Sequence, residues 1–272
     1  MIREIDHVLV ATRDPDDAAA GLAASLGLLR AGGGVHEAIG TRNALISLGG
    51  PYLELIGLQD AEPETRTRAL RHPIGSAVVR ALDAMAAGGA RGQGGLGASS
   101  DGDAPWAYVT VALRSDDVVG EVARLAARGM ARGVTSSEVV RRRPDGTAIR
   151  WPVAFPSRLG PEEPPFLIEH EPDEPERTAR LAAGGPSLRR LDLVVADPAA
   201  TAGRWASAWG LVTRREPAPD PAAATTVALR VGPHEMVLAS SSRAARAVVR
   251  LADPAAGEPR AFDGGGVVIA IG

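Results

Sequence analysis

Three side chains in this sequence combine the donor types of a divalent-metal site. His7 sits in the strand-like pattern Ile5 to Val10, Glu54 lies inside the apolar run Tyr52-Leu53-Glu54-Leu55-Ile56, and Glu169 ends Phe166-Leu167-Ile168-Glu169. A carboxylate within an apolar strand is costly to desolvate unless it is paired or metal-bound. The alternative is that each glutamate points to solvent from the outer face, and that His7 is a hydrogen-bonded core residue. Imidazole plus two carboxylates suits Fe(II), Mn(II), Zn(II), Ni(II) or Co(II), with positions left for a chelating substrate. Such an ion stabilises an enolate-like intermediate, or activates oxygen if it is iron. Glu169 or His36 would then move the proton.

Further residues could shape a pocket. His36 follows Gly32-Gly33-Gly34, where mobile backbone could carry it over the site or leave it exposed. Asn43 begins a strand and can hydrogen-bond a substrate carbonyl or finish a turn. Arg150 can pair bidentately with a substrate carboxylate, and Trp151 beside it offers an apolar wall or packing. The run Arg141-Arg142-Arg143 reads as a solvated face. Strand alternation directs His170 opposite to Glu169.

The elements that must position these residues repeat along the chain. Ile5 to Leu28 reads as a strand, a turn and a helix, with Asp14-Pro15 as the helix start and Gly27 as its end. The pattern returns at Val109 to Met130, where Gly129 against Gly27 gives an offset of 129 − 27 = 102. It returns again at Leu188 to Leu211, where Asp197-Pro198 matches Asp14-Pro15 at an offset of 197 − 14 = 183. Strand-like segments follow each copy, so the unit is strand–helix–strand–strand–strand. Such a unit cannot bury both faces alone, and two must pair. The expected fold is α+β, with repeated βαβββ modules pairing into cupped half-barrel sheets. Residues 1–171 hold two paired modules with a helix and a Gly-rich loop inserted at 59–104. Residues 172–186 form a linker, and residues 187–272 a third module with a truncated fourth.

In this order and spacing, several pieces resemble one family. They are Ile5-Asp6-His7-Val8, Gly40-Thr41-Arg42-Asn43-Ala44-Leu45, Tyr52-Leu53-Glu54-Leu55-Ile56, Arg143-Pro144-Asp145-Gly146-Thr147, Arg150-Trp151 and Pro165-Phe166-Leu167-Ile168-Glu169. The chain resembles the glyoxalase-like domain family of the vicinal-oxygen-chelate superfamily, over residues 3–171 and again over 187–240. The resemblance implies a divalent metal in the cupped face, with ligands from the first and last strands of two paired modules: here His7, Glu54 and Glu169. The family includes isomerases, lyases, dioxygenases and antibiotic-sequestering proteins. One position departs from it. Val109 stands where paired members often place a ligating His or Gln, so the site has three protein ligands at most, recruits His36, or has lost the metal. In the third copy Arg190 or Leu193 takes the place of His7 and Met236 that of Glu54, which marks that half as structural or interfacial.

Composition narrows the chemistry. The 272 residues contain no cysteine, and all 30 basic residues are arginine. Disulfides, thiolate metal sites, cysteine nucleophiles and lysine bases are therefore excluded. A net charge of -3 leaves no basic footprint for nucleic acid. No apolar run reaches the ~18 residues of a membrane span. The start of the chain runs straight into a strand pattern, as expected of a cytoplasmic protein rather than a secreted one. The expected function is a metal-dependent lyase, isomerase or dioxygenase acting on a small oxygen-rich substrate. The competing reading is a metal-free small-molecule binding or sequestering protein of the bleomycin-resistance type. Either takes a small-molecule ligand, and a homodimer is compatible with both.

Overall fold

The computed structural model describes residues 1–89, 106–170, 175–216, 226–240, 247–253, 258–265 and 267–272. Most of the expected Gly-rich loop lies outside the described residues. The first module comprises β1 (Ile2–Ala11), α1 (Pro15–Leu26), β2 (Arg30–His36), β3 (Thr41–Ser47) and β4 (Tyr52–Leu58). The Asp14 carboxylate caps α1 by accepting from the backbone of Asp16 and Asp17, and Gly27 ends the helix at φ +68°. The inserted helical stretch is two helices, α2 (Pro63–Leu70) and α3 (Pro73–Gly89). The break falls at Pro73, which lacks the N–H that a continuing helix needs.

The second module comprises β5 (Ala107–Ser115), α4 (Val118–Ala126), β6 (Thr135–Arg142), β7 (Ala148–Phe155) and β8 (Phe166–Ile168). Its strand β5 runs antiparallel to β1, and each module's last strand runs parallel to its first. A cup was expected, but a second seam closes it: Val35 of β2 pairs with Arg142 of β6. The eight strands form a closed barrel in the order β1-β4-β3-β2-β6-β7-β8-β5. Glycine permits this seam, because a Cβ on Gly34 would lie 2.2 Å from the Arg142 carbonyl oxygen.

After α5 (Pro175–Ala183) come β9 (Ser187–Val195), α6 (Pro198–Trp209), β10 (Thr213–Glu216), β11 (Thr226–Val231), β12 (His234–Ser240), β13 (Ala247–Ala252), β14 (Arg260–Asp263) and β15 (Val267–Ile271). These strands form an open seven-stranded sheet. Two cores result. One fills the barrel interior with Leu9, Ile56, Val153, Phe155, Phe166 and Ile168, together with Ile74 and Val78 of α3. The other joins the barrel's outer face and its helices to the second sheet and to Trp205 and Trp209 of α6. The two halves are also tied by Trp209 Nε1, which donates to the Pro165 carbonyl at 2.6 Å.

Candidate ligand pocket

The barrel interior holds a pocket. Its polar lining is His7, His36, Asn43, Tyr52, Glu54 and Arg141; Trp151, Phe166, Ile74, Val139, Val153 and Ile168 form its apolar walls. β1 and β4 supply the polar floor. The β1–β5 register shifts between Ile5 and His7. Ile5 therefore joins the outer core with Val8, while His7 faces inward with Leu9. This differs from uninterrupted alternation, which puts Ile5 and His7 on one face. The same irregularity brings Asp6 beside His7.

The result is a buried chain of charged groups. His7 Nδ1 lies 2.7 Å from Asp6 Oδ1, and His7 Nε2 lies 3.2 Å from Glu54 Oε2. Asn43 Nδ2 donates to Glu54 Oε1 at 2.6 Å. Asp6 also reaches His170 Nε2 at 3.1 Å. The His7 ring stacks on Tyr52 with centroids 4.6 Å apart. Burial alone would push the His7 pKa down, but the hydrogen bonds and charges of Asp6 and Glu54 outweigh it and raise it to about 9. Burial likewise opposes the charge on Glu54, yet His7 holds that carboxyl down at about 2. Asp6 is held well below the usual carboxylate range: burial works against its charge, and His170 and His7 prevail. His36 has the opposite fate. Burial lowers its pKa to about 4, leaving a neutral imidazole whose Nδ1 is 3.1 Å from Thr41 Oγ1.

The structure brings His7, Glu54, His36, Asn43 and Trp151 together and leaves Glu169 and Arg150 outside. Phe166 and Ile168 face the barrel interior, so Glu169 faces out. There Glu169 Oε2 accepts from the backbone N–H of Val118 at 2.8 Å and caps α4. Arg150 is 64% exposed and paired with Glu138. His36 lies on strand β2 rather than on a mobile loop. Two polar lining residues were not expected. Arg141 was read as solvated, but it is 2% exposed, stacks on Trp151 at 5.1 Å and pairs with Glu176 at 2.6 Å. Alternation with Val139 along β6 is the sequence signal for it. Tyr52 is two residues from Glu54 on the same strand face, which is its signal.

The donor set does not fit the metal that the resemblance implies. Glu54 pairs with Leu9, five residues before the helix cap Asp14. Phe166 pairs with Ala112, five residues before the helix cap Asp117. Phe166, not Glu169, is thus the second module's counterpart of Glu54, and by the same count Thr110, not Val109, is that of His7. Neither Phe nor an unassisted Thr replaces the missing ligands. Among the described residues, no group of three or more His, Cys, Asp and Glu side chains could hold a metal ion. The guanidinium of Arg141 adds a cation to the same pocket.

The third module differs again. Arg190 pairs with Glu235 in the register that His7 and Tyr52 adopt, both shifted by 183. Val237, rather than Met236, therefore stands where Glu54 does. Arg190 is bound by Asp192 and lies 3.6 Å from Glu235. No helix of the described residues is long and apolar enough to cross a membrane.

Two paired βαβββ modules thus enclose an interior pocket within one barrel. Residues 5–209 match the model of the glyoxalase-like domain, and the chain belongs to that family. A hypothetical protein from Staphylococcus aureus has a similar structure at 15% identity, with a TM-score of 0.70 and 98% of each chain covered. A mutant 4-hydroxymandelate synthase from Streptomyces coelicolor is similar at 12% identity and a TM-score of 0.53, covering 93% of this chain and 71% of that one. At these identities the likeness is one of fold. Comparison with curated proteins finds no match.

Proposed function

We propose that this chain binds a small oxygen-bearing organic molecule inside its barrel, without a metal ion. The observation that carries the reading is the buried Asp6–His7–Glu54–Asn43 chain at the floor of a pocket whose opposite wall is apolar. A few fixed polar groups in an apolar cavity are the pattern of a small-molecule site. His7, an imidazolium at neutral pH, has both N–H groups committed to Asp6 and Glu54, so it contributes positive charge to the floor, and Arg141 supplies a second cation. His7 near 9 and Glu54 near 2 are both remote from the neutral pH at which acid–base catalysts are best poised. That favours binding over chemistry. One observation supports a second reading as a proton-transferring isomerase or lyase. The pKa values of His7 and His36 are pushed in opposite directions within one pocket, a pattern that assigns an acid and a base. In that reading His36 takes a proton from a carbon beside a carbonyl while the cations of His7 and Arg141 stabilise the oxygen that gains charge.

The test is thermal unfolding against a panel of small organic acids, carbonyl compounds and neutral aromatics. A ligand at 100 times its Kd raises Tm by roughly 5–10 °C. The expected hit is unaffected by EDTA and weakened at least tenfold by Glu54→Gln. A hit that needs Zn²⁺ or Mn²⁺, or one indifferent to Glu54→Gln, overturns the reading. Exchange of solvent deuterium into the bound compound, lost in His36→Ala, would select the second reading.

A further inference from the structure

We infer that the pocket selects carboxylic acids that carry an apolar body and a hydroxyl or N–H group. The inference rests on the barrel being a binding site, and it names the ligand class. Two atoms carry it. Asn43 Oδ1 and Arg141 Nε are buried, and neither has a hydrogen-bond partner among the described residues. Both side chains line the pocket.

The chemistry each atom demands follows from its neighbours. Asn43 donates its Nδ2 to the Glu54 carboxylate at 2.6 Å. A carboxylate only accepts, so the amide cannot be turned the other way, and the carbonyl oxygen is the atom left over. That oxygen can only accept, and the ligand must bring it an O–H or N–H. Arg141 is fixed on two sides: its Nη2 is held by Glu176 Oε2 at 2.6 Å, and its plane lies over Trp151. Its buried Nε–H is left without an acceptor among the described residues. An anionic oxygen makes the strongest hydrogen bond to a guanidinium. Trp151, Phe166, Ile74 and Val139 meet the rest of the ligand with apolar surface. A buried donor and a buried acceptor left unmet are both unfavourable, so a ligand that satisfies both is preferred over one that satisfies either alone.

The experiment is calorimetric titration of the full chain with 2-hydroxy-4-methylpentanoate and 3-hydroxy-4-methylpentanoate. The controls are 4-methylpentanoate, which lacks the hydroxyl, and the methyl esters of the hydroxy acids, which lack the charge. At least one hydroxy acid should bind about 10- to 100-fold more tightly than either control. Arg141→Gln should reduce the acid to the affinity of its ester and leave the ester unchanged. Arg141 is buried, so for the case in which that variant does not fold, Glu176→Gln keeps the test decisive. Removing the carboxylate that competes for Arg141 should tighten the acid several-fold and leave the ester alone. Esters that bind as well as the acids, or acids that ignore both substitutions, overturn the ligand class while leaving the binding site intact. Failure of all these compounds to bind also overturns the class, and the panel described above then decides the binding reading separately.

Discussion

Alkaline pH should weaken this protein through one side chain. His7 titrates near 6.5 in an unfolded chain and at about 9 in the fold, because Asp6 and Glu54 outweigh the burial that opposes its charge. The difference corresponds to about 3 kcal/mol at most. The folded value is the raised one, so this stability is complete below pH 6.5 and is lost as the pH climbs through 9. Few other groups obscure the window. The chain has no lysine, and burial pushes the Tyr52 and Tyr108 hydroxyls up, out of the range. His36 and His72, both lowered to about 4 by burial, carry the reverse sign. Their contribution is complete above pH 6.5 and lost as the pH falls toward 4. Stability should therefore peak near pH 6.5. The assay is urea unfolding of the native chain and His7→Gln at intervals from pH 6.5 to 9.5, with the His7 ring followed by ¹⁵N NMR. The native curve should fall by about 3 kcal/mol more than that of the variant. Parallel curves, or a His7 ring that titrates near 6.5, would refute the ion-pair account.

Two further substitutions probe the frame of the site. Glu169→Ala removes the acceptor for the Val118 N–H and should cost about 1 kcal/mol in urea unfolding, the usual worth of a helix cap, while ligand affinity stays unchanged. A tenfold loss of affinity would instead return Glu169 to the pocket. Gly34→Ala puts a methyl against the Arg142 carbonyl, 2.2 Å away. It should destabilise the chain by about 1–3 kcal/mol or more and weaken ligand binding, since the same seam positions His36 and Arg141. Unaltered stability would show that the barrel is not closed there.

The parts of this fold that were legible in the sequence are those with local causes. Asp14, Asp197, Gly27 and Gly210 mark helix ends because caps need particular side chains and dihedrals, and those residues bound α1 and α6 as expected. The parts that were not legible depend on pairing. β2 is Arg-Ala-Gly-Gly-Gly-Val-His, a composition that disfavours a strand in isolation. It is a strand because β3 and β6 flank it, and only glycine lets Gly34 approach Arg142. Glu169 shows a second limit. Its place in an apolar run reveals that burial would be costly, not which face it takes, and one residue of register moves it from inside to outside. The helix signals of the second module carry the same one-residue ambiguity. Gly129 aligns Val109 with His7 at an offset of 102, whereas the true cap Asp117 gives 117 − 14 = 103 and Thr110.

That register also explains the character of the pocket. Two βαβββ modules related by approximate symmetry offer equivalent inward positions, and a metal on the symmetry axis needs ligands from both. Here the first module keeps His7 and Glu54, while the second presents Thr110 and Phe166. Phe166 packs edge-on to the His7 ring with centroids 5.6 Å apart. The second module's other contributions, Trp151 and Val153, are apolar, and Arg141 is a cation. The pocket therefore has a charged floor on one side and an apolar wall on the other. This polarity does not suit an ion centred between the modules. It suits the proposed organic ligand, with its polar groups toward Asn43 of β3 and the Arg141 edge and its carbon body against Trp151 and Phe166. Glu54 is stabilised there by His7 and Asn43. The cost of a carboxylate in an apolar strand, visible from the sequence, is thus met within the first module alone.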